Sequence, residues 1–255
     1  MTATSNAPVA LITAGSAGVG AAAARHFARN GYRVAFNYHS NAERAEQLLA
    51  ELPGLSTLPS PDNSFAAIRA DLGSREAIGG MVGEVAGRFG RLDVVFSNGG
   101  WTRFRGLESI DDNCHEEEWD RAFNINVKSH LWLMQAAKAH LDATEGAFIT
   151  TASLAGVIHS GSSLAYSVTK AAQLHLAKAL AVMAAPKIRV NSVSPGLVLT
   201  EWAERFTDEQ KENHRQNTKL KRIVTAEDIA DQVLTFARSK SMTGVNVLMD
   251  AGFIL

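Results

Sequence analysis

Three residues at fixed spacing could carry acid–base chemistry: Ser153, Tyr166 thirteen positions later, and Lys170 four positions after the tyrosine, all within SLAGVIHSGSSLAYSVTK. On a helix, residues four apart stand on one face, one turn apart. A phenol and an ammonium would then share a site. A free tyrosine has a pKa of about 10 and exchanges protons poorly at neutral pH, whereas a fixed cation nearby favours the phenolate and lowers that value. The spacing therefore predicts a proton donor tuned by a lysine. Alone, the same pattern also fits a packed phenol beside a solvated helix charge, so the surrounding elements must decide.

Those elements alternate along the chain. Residues 9–13 (VALIT) form an apolar run followed by AGSAGVG and an alanine-rich segment ending at Gly31, which reads as strand, glycine turn and helix. Residues 33–38 read as a strand, 42–52 as a helix and 53–64, rich in Pro, Ser and Gly, as a surface loop. Strands are then expected at 65–70, 92–97, 147–151, 188–193 and 245–249, with helices at 74–89, 116–141, up to about 185, and at 226–237. Residues 101–115 read as irregular and 197–225 as an irregular substrate flap with some helix. Seven strand-like runs alternating with helices, without a linker or a repeat, predict one α/β domain over residues 1–255. Its architecture is a single-domain Rossmann fold: a doubly wound, seven-stranded, mostly parallel sheet with helices on both faces.

In such a sheet ligands sit beyond the carboxyl ends of the strands, and the first glycine turn and helix N-terminus take phosphate. The turn here is Thr13-Ala14-Gly15-Ser16-Ala17-Gly18-Val19-Gly20. Its context after the first strand favours a dinucleotide, and the absence of a G-K-[ST] lysine disfavours nucleoside triphosphate hydrolysis. At the end of the second strand, Asn37-Tyr38-His39-Ser40-Asn41 holds no acid for an adenosine ribose 2′-hydroxyl, the usual NAD feature. His39, Ser40 and Asn41 could instead donate to a 2′-phosphate. NADP(H) is therefore expected in preference to NAD(H).

Composition narrows the remaining classes. The chain has 255 residues, 46% of them apolar, and a formal net charge of −1 with no basic block. Nucleic acid and anionic membrane surfaces are thus not expected partners. The single cysteine, Cys114, excludes an internal disulfide and leaves no thiolate cluster. The first residues, MTATSNAP, have no signal-peptide pattern, and no apolar run is long enough to span a bilayer. A cytoplasmic protein is expected. His115 before Glu116, Glu117 and Glu118 lacks an H-E-x-x-H pattern and reads as a solvated helix start, so no metal is expected.

Together these features resemble the short-chain dehydrogenase/reductase family. Thr13, Gly18 and Gly20 match its T-G-x-x-x-G-x-G turn, with Ala14 standing where that pattern has glycine and Gly15 beside it. Asp71-Leu72 matches its adenine-contacting pair, and Asn98 and Gly100 its N-N-A-G segment. Asn126 matches its helix asparagine, Pro195-Gly196 with Thr200 its P-G-x-x-x-T segment, and Ser153, Tyr166 and Lys170 its serine, tyrosine and lysine. The wording SNGGWTRF and SPGLVLTEW resembles a fungal subgroup of the family.

The resemblance implies that Tyr166 gives a proton to a carbonyl oxygen during hydride transfer and that Ser153 hydrogen-bonds the same oxygen. It implies further that Lys170 lowers the phenol's pKa and holds the nicotinamide ribose, and that Asn126 anchors a water in the proton path. Thr13, Gly15, Ser16, Gly18, Val19, Gly20, Tyr38, His39, Ser40, Asp71, Leu72, Asn98, Gly100, Pro195, Gly196 and Thr200 would line the cofactor with Tyr166 and Lys170. A homodimer or homotetramer is implied as well.

The expected substrate is a small carbonyl compound or alcohol. Trp101, Phe104, Leu197, Trp202 and Phe206 could line an apolar or ring-shaped pocket, or merely pack under their loops. His159, six residues after Ser153, could touch substrate, although a lone loop histidine reads first as solvated or structural. Non-redox chemistry in the same pocket (dehydration, epimerisation or cyclisation) and a cofactor-binding sensor stay open as alternatives.

Overall fold

The computed structural model describes residues 6–255; residues 1–5, which the one-domain span and the no-leader reading include, lie outside the described residues. Among the described residues, seven strands form one sheet: β1 (Val9–Ile12), β2 (Arg33–Tyr38), β3 (Phe65–Arg69), β4 (Val94–Ser97), β5 (Ala147–Thr151), β6 (Arg189–Pro195) and β7 (Asn246–Met249). Their order is β3-β2-β1-β4-β5-β6-β7, and every adjacent pair is parallel. Eight α-helices connect them: α1 (Gly18–Arg29), α2 (Ala42–Leu55), α3 (Arg75–Phe89), α4 (Glu116–Phe123), α5 (Ser129–Thr144), α6 (Leu164–Ala184), α7 (Asp208–Asn217) and α8 (Ala226–Arg238).

β1 shows why the sheet must be covered twice. All four of its residues are fully buried, so the run reads VALI without alternation. Successive side chains point to opposite faces. Ala10 and Ile12 enter a core with α1 and α8, while Val9 and Leu11 enter a second core with α3, α5 and α6. The chain builds outward from β1 to β3, then returns to place β4 against the other side of β1. That reversal is the switch point where a doubly wound sheet opens a crevice. The seven parallel strands and two-sided helix cover agree with the expected architecture.

Three segments around the site depart from expectation beyond a shift of one or two residues at an element's end. α2 runs on to Leu55 with Pro53 inside its last turn, and closes with the Ser56 amide donating to the Pro53 carbonyl at 3.3 Å. The helix expected over 116–141 is α4 and α5 joined by a π-turn at Asn124–Lys128, a one-residue insertion that period counting does not detect. The segment 197–225 is more ordered than an irregular flap. Val198 bridges Val224 at its neck, a 3-10 turn spans Glu201–Arg205, and α7 is closed by a capping box at Thr207 and Gln210.

Candidate active site

At the carboxyl end of β1 the glycines are required by close approach. A Cβ at Gly20 would lie 2.3 Å from the Ala14 carbonyl oxygen, and one at Gly15 would lie 2.5 Å from the Phe36 Cβ. Gly18 has φ +49°, and its Cβ position is 3.3 Å from Thr200 Cγ2. The glycine turn and the Pro195–Thr200 segment therefore meet, although Gly18 and Thr200 are 182 positions apart in the sequence. Ala14, which replaces a family glycine, takes φ +49°, a left-handed conformation that costs an alanine about 1–2 kcal/mol. Buried Asn37 holds it there. Its Oδ1 accepts from the Ala14 amide at 2.8 Å, and its carbonyl accepts from the Gly15 amide at 2.8 Å. Ser16 and Val19 lie half-buried at the open side of the turn.

Thr13 and Asn98 then lock β1 to β4. The buried Thr13 hydroxyl accepts from the amides of Asn98 (2.8 Å) and Gly99 (3.1 Å). Asn98 Oδ1 accepts from the Thr151 hydroxyl at 2.9 Å, carrying the link to β5. Leu72 leans over Gly99, leaving no room for a Cβ there (2.2 Å), while the exposed Asp71 carboxylate accepts from the Gly73 amide. Tyr38 ends β2 half-buried, and His39 and Ser40 stand exposed beyond it. Pro195 ends β6 buried, and Gly196 donates to the Met249 carbonyl at 2.9 Å.

Across the crevice, Ser163 caps α6 by accepting from the Tyr166 amide, which starts the helix three residues before the tyrosine. Tyr166 and Lys170 project from one face, and the Lys170 Nζ stands 5.6 Å from the phenol ring centre. Lys170 is buried, its Nζ donating to the Thr151 carbonyl at 2.8 Å and to Gln173 Oε1 at 2.9 Å. Burial holds this lysine down to about 7. The Ser153 hydroxyl hydrogen-bonds the Tyr166 phenol and accepts from the Ala155 amide at 3.1 Å.

The phenol itself departs from the expectation of a lowered pKa. Burial pushes it up, and the Ser153 hydrogen bond only partly offsets that. The ammonium spends its hydrogen bonds on Thr151 and Gln173, not on the phenol, so the protein alone keeps Tyr166 protonated. Asn126, fully buried in the π-turn, is likewise committed. Its Oδ1 accepts from the Trp101 amide at 2.7 Å, and its Nδ2 donates to the Trp101 carbonyl (2.9 Å) and to Thr169 Oγ1 (3.0 Å). Its side chain fixes the loop after β4. A Cβ at Gly100 would be 3.5 Å from both Asn126 Oδ1 and Lys170 Nζ, so glycine leaves open a polar recess between them.

Gln173, Thr151 and Thr169 belong to this centre and were not singled out from sequence, although Gln173 lies three residues after Lys170 on the same helix face. Beneath them, buried His130 shares a 2.5 Å hydrogen bond with Ser97, and burial together with the Lys170 charge holds its imidazole down to about 3. It stays neutral at ordinary pH.

The expected apolar lining divides. The Trp202 ring centre lies 6.5 Å from that of Tyr166, and Phe104 meets Phe206 edge-on at 6.3 Å. Trp101 turns instead toward α4, under the Arg121 guanidinium at 4.9 Å. His159 is exposed, and Glu118 forms an ion pair with Arg105 across the 101–115 loop instead of lying free in solvent.

A family model described as enoyl-(acyl carrier protein) reductase matches residues 13–254. The 3-oxoacyl-(acyl-carrier-protein) reductase FabG of Staphylococcus aureus is 31% identical over 250 residues, covering 96% of this chain and 98% of that protein. The NADPH-dependent 3-quinuclidinone reductase of Rhodotorula rubra superposes with a TM-score of 0.86 at 27% identity, covering 96% of this chain and 91% of that one. A short-chain type dehydrogenase/reductase from Mycobacterium marinum gives 0.85 at 30% identity, covering 96% and 95%.

Proposed function

This chain is an oxidoreductase of the short-chain dehydrogenase/reductase family, and within that family we propose that it is an NADP(H)-dependent carbonyl reductase acting on a small, apolar or ring-containing ketone. The observation that carries the reading is the convergence of Ser153, Tyr166 and Lys170 beside the Gly100 recess. The glycine turn, Asn98, Gly100, Pro195, Gly196 and Thr200 would hold the dinucleotide: close packing at Gly20 and Gly15 keeps the turn tight, and Gly100 keeps the recess beside Asn126 and Lys170 free of a side chain. When bound, the cofactor supplies the hydride.

The protein's own part is proton placement. Tyr166 is protonated near neutral pH and so carries the proton to be given, and its Oη passes it to the carbonyl oxygen as negative charge develops there; burial weakens the phenol as an acid, and the Ser153 hydrogen bond offsets part of that. The Ser153 hydroxyl donates to the same oxygen and holds it in line with the phenol. Lys170, anchored by Thr151 and Gln173, presents its Nζ to the recess and aids the return of a proton to Tyr166. Asn126 contributes by fixing the Trp101 backbone, which keeps that recess shaped. Trp202, Phe104 and Phe206 support an apolar substrate wall beside the phenol.

The NADP(H) preference rests on the acid-free Tyr38–Asn41 loop, and the similarity to the NADPH-dependent Rhodotorula rubra reductase supports it. The fungal-subgroup resemblance gains no support, because the similar proteins include those of Staphylococcus aureus and Mycobacterium marinum as well as that of Rhodotorula rubra. A cytoplasmic location and a homodimer or homotetramer complete the proposal on the family resemblance. Incubation with NADPH and a panel of cyclic ketones, 3-oxoacyl thioesters and enoyl thioesters is expected to consume cofactor with ketones. Turnover confined to the enoyl compounds, or faster with NADH, overturns the reading.

A further inference from the structure

One ion pair crosses the molecule at the cofactor crevice. Arg44 is the third residue of α2, and its amide donates at 2.9 Å to Asn41 Oδ1, the cap at the end of the Tyr38–Asn41 loop. Its guanidinium is turned onto Glu201. Nη1 lies 2.7 Å from Glu201 Oε1 and 2.8 Å from Oε2. Glu201 directly follows Thr200, whose Cγ2 borders Gly18 of the glycine turn, and directly precedes Trp202 beside Tyr166. The pair thus joins the loop expected at the adenosine ribose to the segment bordering the diphosphate cradle and the phenol. Arg69 flanks the other side of that loop, its Nε donating to the His39 carbonyl at 3.2 Å.

We propose that Arg44 is the main cation for the adenosine 2′-phosphate of NADP(H), and that Glu201 holds Arg44 in the cofactor-free protein and gives it up when that phosphate binds. The proposal rests on the cofactor reading above and deepens it. Both side chains are well exposed, 39% and 49%, and such pairs exchange at little cost. A phosphate monoester brings close to two negative charges and three acceptor oxygens to a guanidinium fork that matches them. NADH lacks that group and leaves the pair intact. Because Glu201 and the phosphate compete for one cation, cofactor type is coupled to the position of the Glu201–Trp202 step next to the phenol. The sequence loop that favours NADP(H) by lacking an acid therefore gains an arginine from one helical turn further on.

Calorimetric titration of the full-length protein with adenosine 2′,5′-bisphosphate and with AMP tests this without turnover. Arg44→Ala is expected to weaken bisphosphate binding by about 10- to 100-fold, the range for a charged hydrogen bond, and to leave AMP binding unchanged. Arg44→Lys should fall between, and Glu201→Gln should tighten bisphosphate binding several-fold with no effect on AMP. Circular dichroism confirms the fold of each variant, which an exposed site should preserve. An unchanged bisphosphate affinity in Arg44→Ala, or equal losses for both ligands, overturns the proposal. Weaker or unchanged binding in Glu201→Gln overturns its competitive half and leaves the pair as a simple clasp. Equal binding of both ligands by the wild-type protein removes the NADP(H) reading itself, and with it the proposal.

Discussion

Tyr166→Phe is expected to lower ketone turnover by about 10²–10⁴-fold, the usual contribution of a positioned general acid, while NADPH still binds. The substitution removes one oxygen. The ring keeps its place beside Trp202, and α6 keeps its Ser163 cap, which is made to the backbone and not to the side chain. The change therefore tests the proton, not the fold. Ser153 cannot take over, because its hydroxyl is an aliphatic alcohol with no tuned acidity and is already engaged by the Ala155 amide. Steady-state rates for both proteins at one pH decide the point. A variant within tenfold of the wild type would mean that the proton comes from elsewhere.

Lys170→Met should reduce turnover by roughly 10²–10³-fold, comparable to losing one preorganised donor, and should also change how stability depends on pH. Methionine fills the buried channel with an unbranched chain of similar reach. In the folded protein Lys170 is held down to about 7 by burial, against about 10.4 in an unfolded chain. Between those values the unfolded chain binds more protons than the folded one, so the wild type gains stability as pH rises from 7 toward 10.4. Below pH 7 the full penalty of the buried cation is present. The variant carries no such term.

The stability difference, variant minus wild type, should accordingly shrink as pH rises through that window. Loss of the donor to the Thr151 carbonyl and Gln173 displaces the whole curve without changing its slope. Urea unfolding of both proteins between pH 7 and 9.5 measures the difference. Parallel curves would show that Lys170 titrates as an ordinary lysine.

Much of the scaffold was legible because its signals are local. β1 is buried on both faces and therefore reads as an unbroken apolar run, and the glycine turn is forced by carbonyl and ring atoms that leave no space for a Cβ. Helical spacing puts Tyr166 and Lys170 on one face, and the glycine turn and the other motifs around them are what give that pair a role. What the sequence did not yield depends on distance along the chain or on competition between effects. Arg44 and Glu201 are 157 residues apart and meet only through the fold. The π-turn at Asn124–Lys128 inserts a single residue into an otherwise regular pattern.

The phenol's pKa departs from what the spacing predicts for a different reason. Spacing shows that a cation is near, but not that burial outweighs it or that Thr151 and Gln173 occupy the ammonium. Trp101 likewise carries the same apolar label as Trp202, yet Arg121 and the Asn126 side chain hold it away from the phenol.

The central claim is that this site delivers hydride to a carbonyl carbon and a proton to its oxygen. Reduction of a responsive ketone with NADPH deuterated at the transferring position, followed by mass and NMR analysis of the product, tests it most directly. One deuterium on the carbinol carbon, with none elsewhere, is the expected result. A product lacking deuterium, formed without consumption of NADPH, would contradict the account and point to dehydration, epimerisation or cyclisation in the same pocket.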